Sequence, residues 1–103
     1  MRVKIDHHDN IMLQTKFFEH AAGRDNIAFL MKDKDVRFDI LQHYINVVEA
    51  RYVTLELMKK ELCKKYEPEI LHGRSYDYVF DFDNEEIEYI HPIFEALERV
   101  SRV

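Results

Sequence analysis

Apolar residues recur along this chain at three spacings, and each predicts a different element. The clearest run lies between residues 36 and 66. Phe38, Ile45, Tyr52, Lys59 and Tyr66 stand seven apart, and Leu41, Val48, Leu55 and Leu62 stand seven apart with an offset of three. Only Lys59 breaks this apolar stripe, so the segment predicts one long amphipathic helix from about Val36 to Tyr66. Lys59, Lys60, Lys64 and Lys65 crowd its last turns, where cations complement the helix dipole. Pro68 ends it, because the residue before a proline is pushed out of helical geometry. A helix of that length spans about 46 Å. A compact domain of about 100 residues is nearer 35 Å across. The stripe therefore suits either a bent core helix or the seam of a homodimer, with Leu41, Ile45, Val48, Tyr52, Leu55 and Leu62 as the seam residues.

The first third is weaker. Residues 2–5 read as a short strand. Asp9 or Asn10 can cap a helix in which Ile11, Gln14 or Thr15, Phe18 and Ala22 fall at helical spacing. Gly23 is the expected stop. A second short helix, capped by Asp25 or Asn26, would carry Ile27, Leu30 and Met31. Lys32 to Asp35 forms a polar hinge with Asp33 and Asp35 as candidate N-caps.

After Gly73 the period changes to two. Tyr76, Tyr78, Phe80 and Phe82 alternate with Asp77, Val79, Asp81 and Asp83, which predicts a strand with aromatics on one face and carboxylates on the other. Asn84 can cap a helix that begins with Glu85 and Glu86 and continues through Ile87, Ile90, Phe94 and Leu97. Pro92 interrupts that pattern, so the alternative is a second strand over 86–90 with a helix starting at Pro92. The expected fold is mainly α, an essentially all-α single domain over 1–103 with a minor β element, and α+β as the alternative. Two glycines and two prolines in 103 residues agree with long helices and few tight turns.

Charge changes the functional picture. The net charge is −5, but residues 1–66 carry ten acidic and twelve basic side chains, while residues 67–103 carry ten acidic and three basic. Phosphate backbones attract clustered cations, so the acidic third argues against direct nucleic-acid binding. It favours a protein partner with a basic surface. Within 76–88, six carboxylates (Asp77, Asp81, Asp83, Glu85, Glu86 and Glu88) mix with four aromatics. Spaced carboxylates with nearby aromatic area are what a docking surface for a basic groove requires. Cys63 is the single cysteine, so no intrachain disulfide forms, and a reducing cytoplasmic setting fits. No apolar run approaches a membrane span, and the N-terminus lacks the apolar stretch of a signal peptide.

Candidate chemistry is sparse. Asp6-His7-His8 after a short strand resembles the metal-ligating motif of DHH phosphoesterases, but those enzymes take further aspartates from earlier strands, and this motif reads as a polar turn. Glu69 with His72 and Glu88 with His91 have the i, i+3 spacing that di-iron bundles place on helices. Eleven Glu and six His produce such pairs by chance, so no metal and no cofactor is expected. Arg37 and His43 resemble the Arg-x4–6-His motif of HEPN-domain ribonucleases, which are small, helical and usually dimeric. That resemblance implies proton transfer and phosphate contact by His43 and Arg37 at a dimer cleft. Phe38 stands where that family often has a polar residue. The leading expectation is a non-enzymatic binding or inhibitory protein using residues 77–88, with the HEPN-like ribonuclease as the alternative.

Overall fold

A computed structural model describes residues 1–101. The element order is β1 (Arg2–Lys4), α1 (His7–Met31), α2 (Phe38–Lys65), a 3-10 turn (Glu69–Leu71), β2 (Asp77–Asp81), β3 (Glu86–Ile90) and α3 (Pro92–Ser101). The fold is mainly helical with a small antiparallel sheet. That sheet takes it out of the all-α class. The chain divides into two compact units: residues 1–10 together with those from Leu62 onward, and residues 11–61.

In the first unit the sheet order is β1-β3-β2, with β3 central and both pairings antiparallel. Residues 86–90 are therefore a strand, not the helix that Asn84 was expected to cap. The reason lies in period two: Ile87 and Tyr89 point inward and are fully buried, while Glu86, Glu88 and Ile90 point outward. A helix would have wound these two residues onto different faces. Asn84 instead serves the β2–β3 turn, donating its backbone N–H and its side-chain amide to Asp81 at 3.1 and 2.8 Å. Pro92 then opens α3, where its missing N–H costs nothing.

The core of this unit gathers Ile5, Cys63, Leu71, Ile87 and Tyr89, with Val3, Tyr66, Tyr76, Tyr78, Phe80, Ile93 and Phe94 packed around it. The aromatics of β2 face this core as the alternation predicted. Full burial of a side chain such as Ile87 is worth about 1.5–3 kcal/mol. The Tyr89 hydroxyl is satisfied by donating to the Cys63 carbonyl at 2.7 Å. Gly73 takes a positive φ of 79°, closing the turn after the 3-10 segment in a conformation that favours glycine.

Helix α1 starts earlier than expected. Asp6 is its cap: the carboxylate accepts the His8 N–H at 2.8 Å, and the Asp6 carbonyl accepts the Asn10 N–H at 3.0 Å. Asp9 and Asn10, the expected caps, lie inside the helix. Asn10 is buried and donates its amide to the Phe82 carbonyl at 3.1 Å.

The second unit is a pair of antiparallel helical segments joined by residues 32–37. Gly23 does not stop α1, and the two short helices expected over 9–31 are one helix of 25 residues. Gly23 is there for closeness: a Cβ built on it would stand 2.7 Å from Cγ2 of Val48 and 3.2 Å from the Arg51 guanidinium. The same approach lets Arg51 donate to the Glu19 carbonyl at 3.0 Å and sets the His20 and Tyr52 rings 5.5 Å apart. Helix α2 runs unbroken for 28 residues, within two residues of its expected bounds. The hinge is as expected, but Asp33 and Asp35 do not cap α2. Asp33 accepts the Asp35 N–H in a local turn, and the first turn of α2 rests on the Arg37 carbonyl.

Filling the gap at Gly23 should therefore cost stability. Gly23→Leu is expected to lose about 1–3 kcal/mol through overpacking, despite its better helix propensity, as measured by denaturant unfolding. Val48→Ala on top of it should restore part of that loss. Unchanged stability in Gly23→Leu would mean that the helices do not meet at this point.

Candidate functional site

The sheet register decides where the carboxylates go. Arg2 pairs with Glu88 and Val79, and Lys4 with Glu86 and Asp81, across the three strands. All these side chains share the face of the sheet opposite the core. Asp77 and Ile90 extend it at one end, and the β2–β3 turn carries Asp83 and Glu85 at the other. Six carboxylates thus stand against Arg2 and Lys4, an excess of four negative charges on one small surface.

Arg2 organises this surface. Its guanidinium reaches Asp81 at 3.1 Å, Glu88 at 3.3 Å and Glu86 at 3.5 Å. These carboxylates, led by Asp81 as acceptor of an Arg2 N–H, hold the Arg2 proton more tightly than usual. Lys4 adds an ion pair to Glu86 at 3.3 Å, and His7 lies 2.7 Å from Glu85. Asp81 is held below the usual carboxylate range, first by the Asn84 side chain and backbone and then by Arg2. Asp77 and Asp83 have no ion pair among the described residues. Asp77 also lines a shallow groove with Ser75, Tyr76, Ile90, His91 and Pro92. Val79 and Ile90, each about half exposed, supply apolar area beside the charges.

The sequence pattern marked all six carboxylates but gave no sign of Arg2. Strand pairing brings it there from 79 to 86 positions away, and local spacing carries no trace of that.

A second polar cluster sits where α1 begins and α2 ends. Asp9 accepts from Lys65 Nζ and from the Tyr66 hydroxyl, both at 2.6 Å, while the Tyr66 oxygen accepts the Asp6 N–H at 2.9 Å. The Lys65 ammonium, with Tyr66 second, draws the Asp9 carboxyl below its ordinary value, and Asp9 raises Lys65 in return. A third cluster joins the Tyr76 hydroxyl to Glu67 at 2.6 Å and His72 to the same carboxylate at 3.4 Å. Burial, and then Glu67, push the Tyr76 phenol well above its ordinary range. These clusters fasten elements together.

The other candidates are scattered. Arg37 is bound by Asp39 at 3.0 Å, and the His43 ring packs edge-on to Tyr44; nothing described brings the two together. Glu88 lies on β3, while His91 accepts the Ile93 N–H at the start of α3, so this pair is not on one helix. Glu69 sits in the 3-10 turn and His72 faces Glu67. Among the described residues no three His, Cys, Asp or Glu side chains gather as a metal site would require, and no helix is long and apolar enough to cross a membrane. Of the seam residues, Leu55 and Leu62 are buried by the chain itself, Leu41, Ile45 and Val48 are half-buried, and Tyr52 is half exposed beside His20. The stripe therefore serves the chain's own packing at Val48, Leu55 and Leu62.

The lowered carboxyl values fix the acid behaviour. A carboxyl whose folded pKa is depressed contributes stability above its unfolded value, near 3.8, and loses it as pH falls through the folded value. Stability should hold down to about pH 4 and decline below it. Asp9→Asn should flatten that acid limb, as followed by circular dichroism. Tyr66→Phe, which deletes the hydroxyl between Asp9 and Asp6, should cost about 1 kcal/mol at neutral pH in denaturant unfolding.

No protein-family model, no curated protein and no solved structure matches the chain, so its site is read from its own geometry.

Proposed function

We propose that this protein is a non-enzymatic binding or inhibitory protein that engages a basic surface of a protein partner through the outer face of its sheet. One observation carries the reading: strand register collects Asp77, Asp81, Glu86 and Glu88 on a single face, with Asp83 and Glu85 at its rim. Arg2 holds three of them in fixed positions, which lowers the ordering cost of binding. Asp77 and Asp83 remain for a partner's lysine or arginine, and the groove beside Asp77 offers a seat for one such side chain. Val79 and Ile90 add contact area. A surface of this sign repels nucleic acid and competes with it for a basic groove. A cytoplasmic setting suits Cys63, which forms no disulfide. Pairing of two chains would present two such faces and strengthen binding by avidity.

The test is titration calorimetry against a lysine- and arginine-rich peptide. Binding should weaken roughly tenfold when salt is raised from about 0.05 to about 0.3 M, because the Debye length shortens. It should fall by a similar factor in Asp77→Lys with Asp83→Lys, a pair of changes that disturbs no ion pair among the described residues. Binding that ignores both salt and these substitutions, or no binding at low salt, would overturn the reading.

A further inference from the structure

The most conspicuous surface not used by that reading lies on α1. Ile11, Thr15, Phe18, Ala22, Asp25 and Phe29 follow one another at steps of four, three, four, three and four, the spacing of a coiled-coil seam. On the helix wheel this stripe points away from Leu13, His20, Gly23 and Ile27, the side turned toward α2. Every member is exposed: Ile11 to 43%, Phe18 to 60% and Phe29 to 76%, with Thr15, Ala22 and Asp25 open beside them. Phe18 and Phe29 share this register, so their exposed rings belong to one continuous stripe and not to scattered apolar positions.

The stripe is complementary to itself when reversed. Turned about a twofold axis near residue 20, Ile11 meets Phe29 of a second copy, Phe18 meets Ala22, and Thr15 meets Asp25. Large side chains then face a large partner at the ends and a small one at the centre. The one carboxylate in the seam faces a hydroxyl; that hydroxyl now donates to the Ile11 carbonyl at 2.8 Å and is able to turn outward. A twofold contact requires this kind of self-complementarity, and a parallel arrangement would set Asp25 against Asp25. Glu19, beside the axis, is already paired with Lys16 at 3.6 Å, which softens its approach to its own copy. Taking about 200 Å² for each large side chain, Ile11, Phe18 and Phe29 expose roughly 360 Å² per chain, and the open Thr15, Ala22 and Asp25 bring the stripe to on the order of 500 Å². Two copies would bury about 1,000 Å², the threshold for a specific interface.

We propose that α1 pairs with α1 of a second copy as an antiparallel, twofold-symmetric dimer through Ile11, Phe18, Ala22 and Phe29, distinct from the α2 stripe. The contact is independent of the acidic sheet face. Light scattering and sedimentation should give twice the 12.5 kDa chain mass at micromolar concentration. Phe18→Glu with Phe29→Glu should weaken association at least a hundredfold, with unchanged helical circular dichroism, because both side chains are exposed. Orientation is read by cross-linking. A mixture of Phe18→Cys chains and Ala22→Cys chains, each carrying Cys63→Ser, should form the mixed disulfide in preference to either like pair. A monomeric wild-type chain, a dimer indifferent to Phe18→Glu with Phe29→Glu, or like-pair disulfides in preference to mixed ones would each overturn the proposal.

Discussion

The pairing of residues 2–4 with residues 86–88 is the constraint on which the sheet-bearing unit depends. Strand β3 is buried on its inner side, and its backbone must be satisfied on both edges. One edge is supplied by a nearby hairpin partner, β2, at little entropic cost. The other comes from the opposite end of the chain: Tyr89 N–H donates to the Met1 carbonyl at 2.8 Å, and the Ile5 N–H donates to the Glu85 carbonyl at 2.9 Å. Closing so long a loop costs only slowly more than closing a short one. Its kinetic consequence is larger, because such a contact forms late. The hairpin of β2 and β3 is therefore the natural early structure, and β1 completes it.

The same pairing makes the acidic candidate surface. Arg2 is not a residue that happens to lie near acidic side chains; register places it over β3, within reach of three carboxylates. The arrangement resembles a crowded binding site already holding one cation. Surface ion pairs of this sort add little to stability. Their effect is on geometry, since a guanidinium with several carboxylates around it restricts the rotamers of all of them.

Where the sequence could be read, local periodicity was the reason. Seven-residue spacing marked α2 nearly to its ends, and strict alternation marked β2 and the inward face of its aromatics. Failures came where a distant contact overrode a local signal. Gly23 reads as a helix stop but marks close approach to Val48. Asn84 to Glu86 read as a capped helix start but form a turn, because Ile87 and Tyr89 are needed in the core at a spacing of two. Asp6, the actual cap, does not stand out in the sequence because it sits in a polar run with Asp9 and Asn10. The carboxylates of the candidate face were visible in the sequence; their organising cation was not, because it stands 79 to 86 positions from its partners. The α1 stripe was half visible, through Ile11, Thr15, Phe18 and Ala22, and was obscured by the expected break at Gly23.

Cys63 gives the molecule a built-in clock. Its sulfur is nearly sealed within the sheet-bearing unit, beside the backbone carbonyl that holds Tyr89 in place. A thiol reagent can reach it only when that packing opens. The rate of labelling therefore measures how often that packing opens. One atom thus reports local opening around this core, which a melting curve would average into the loss of the whole fold.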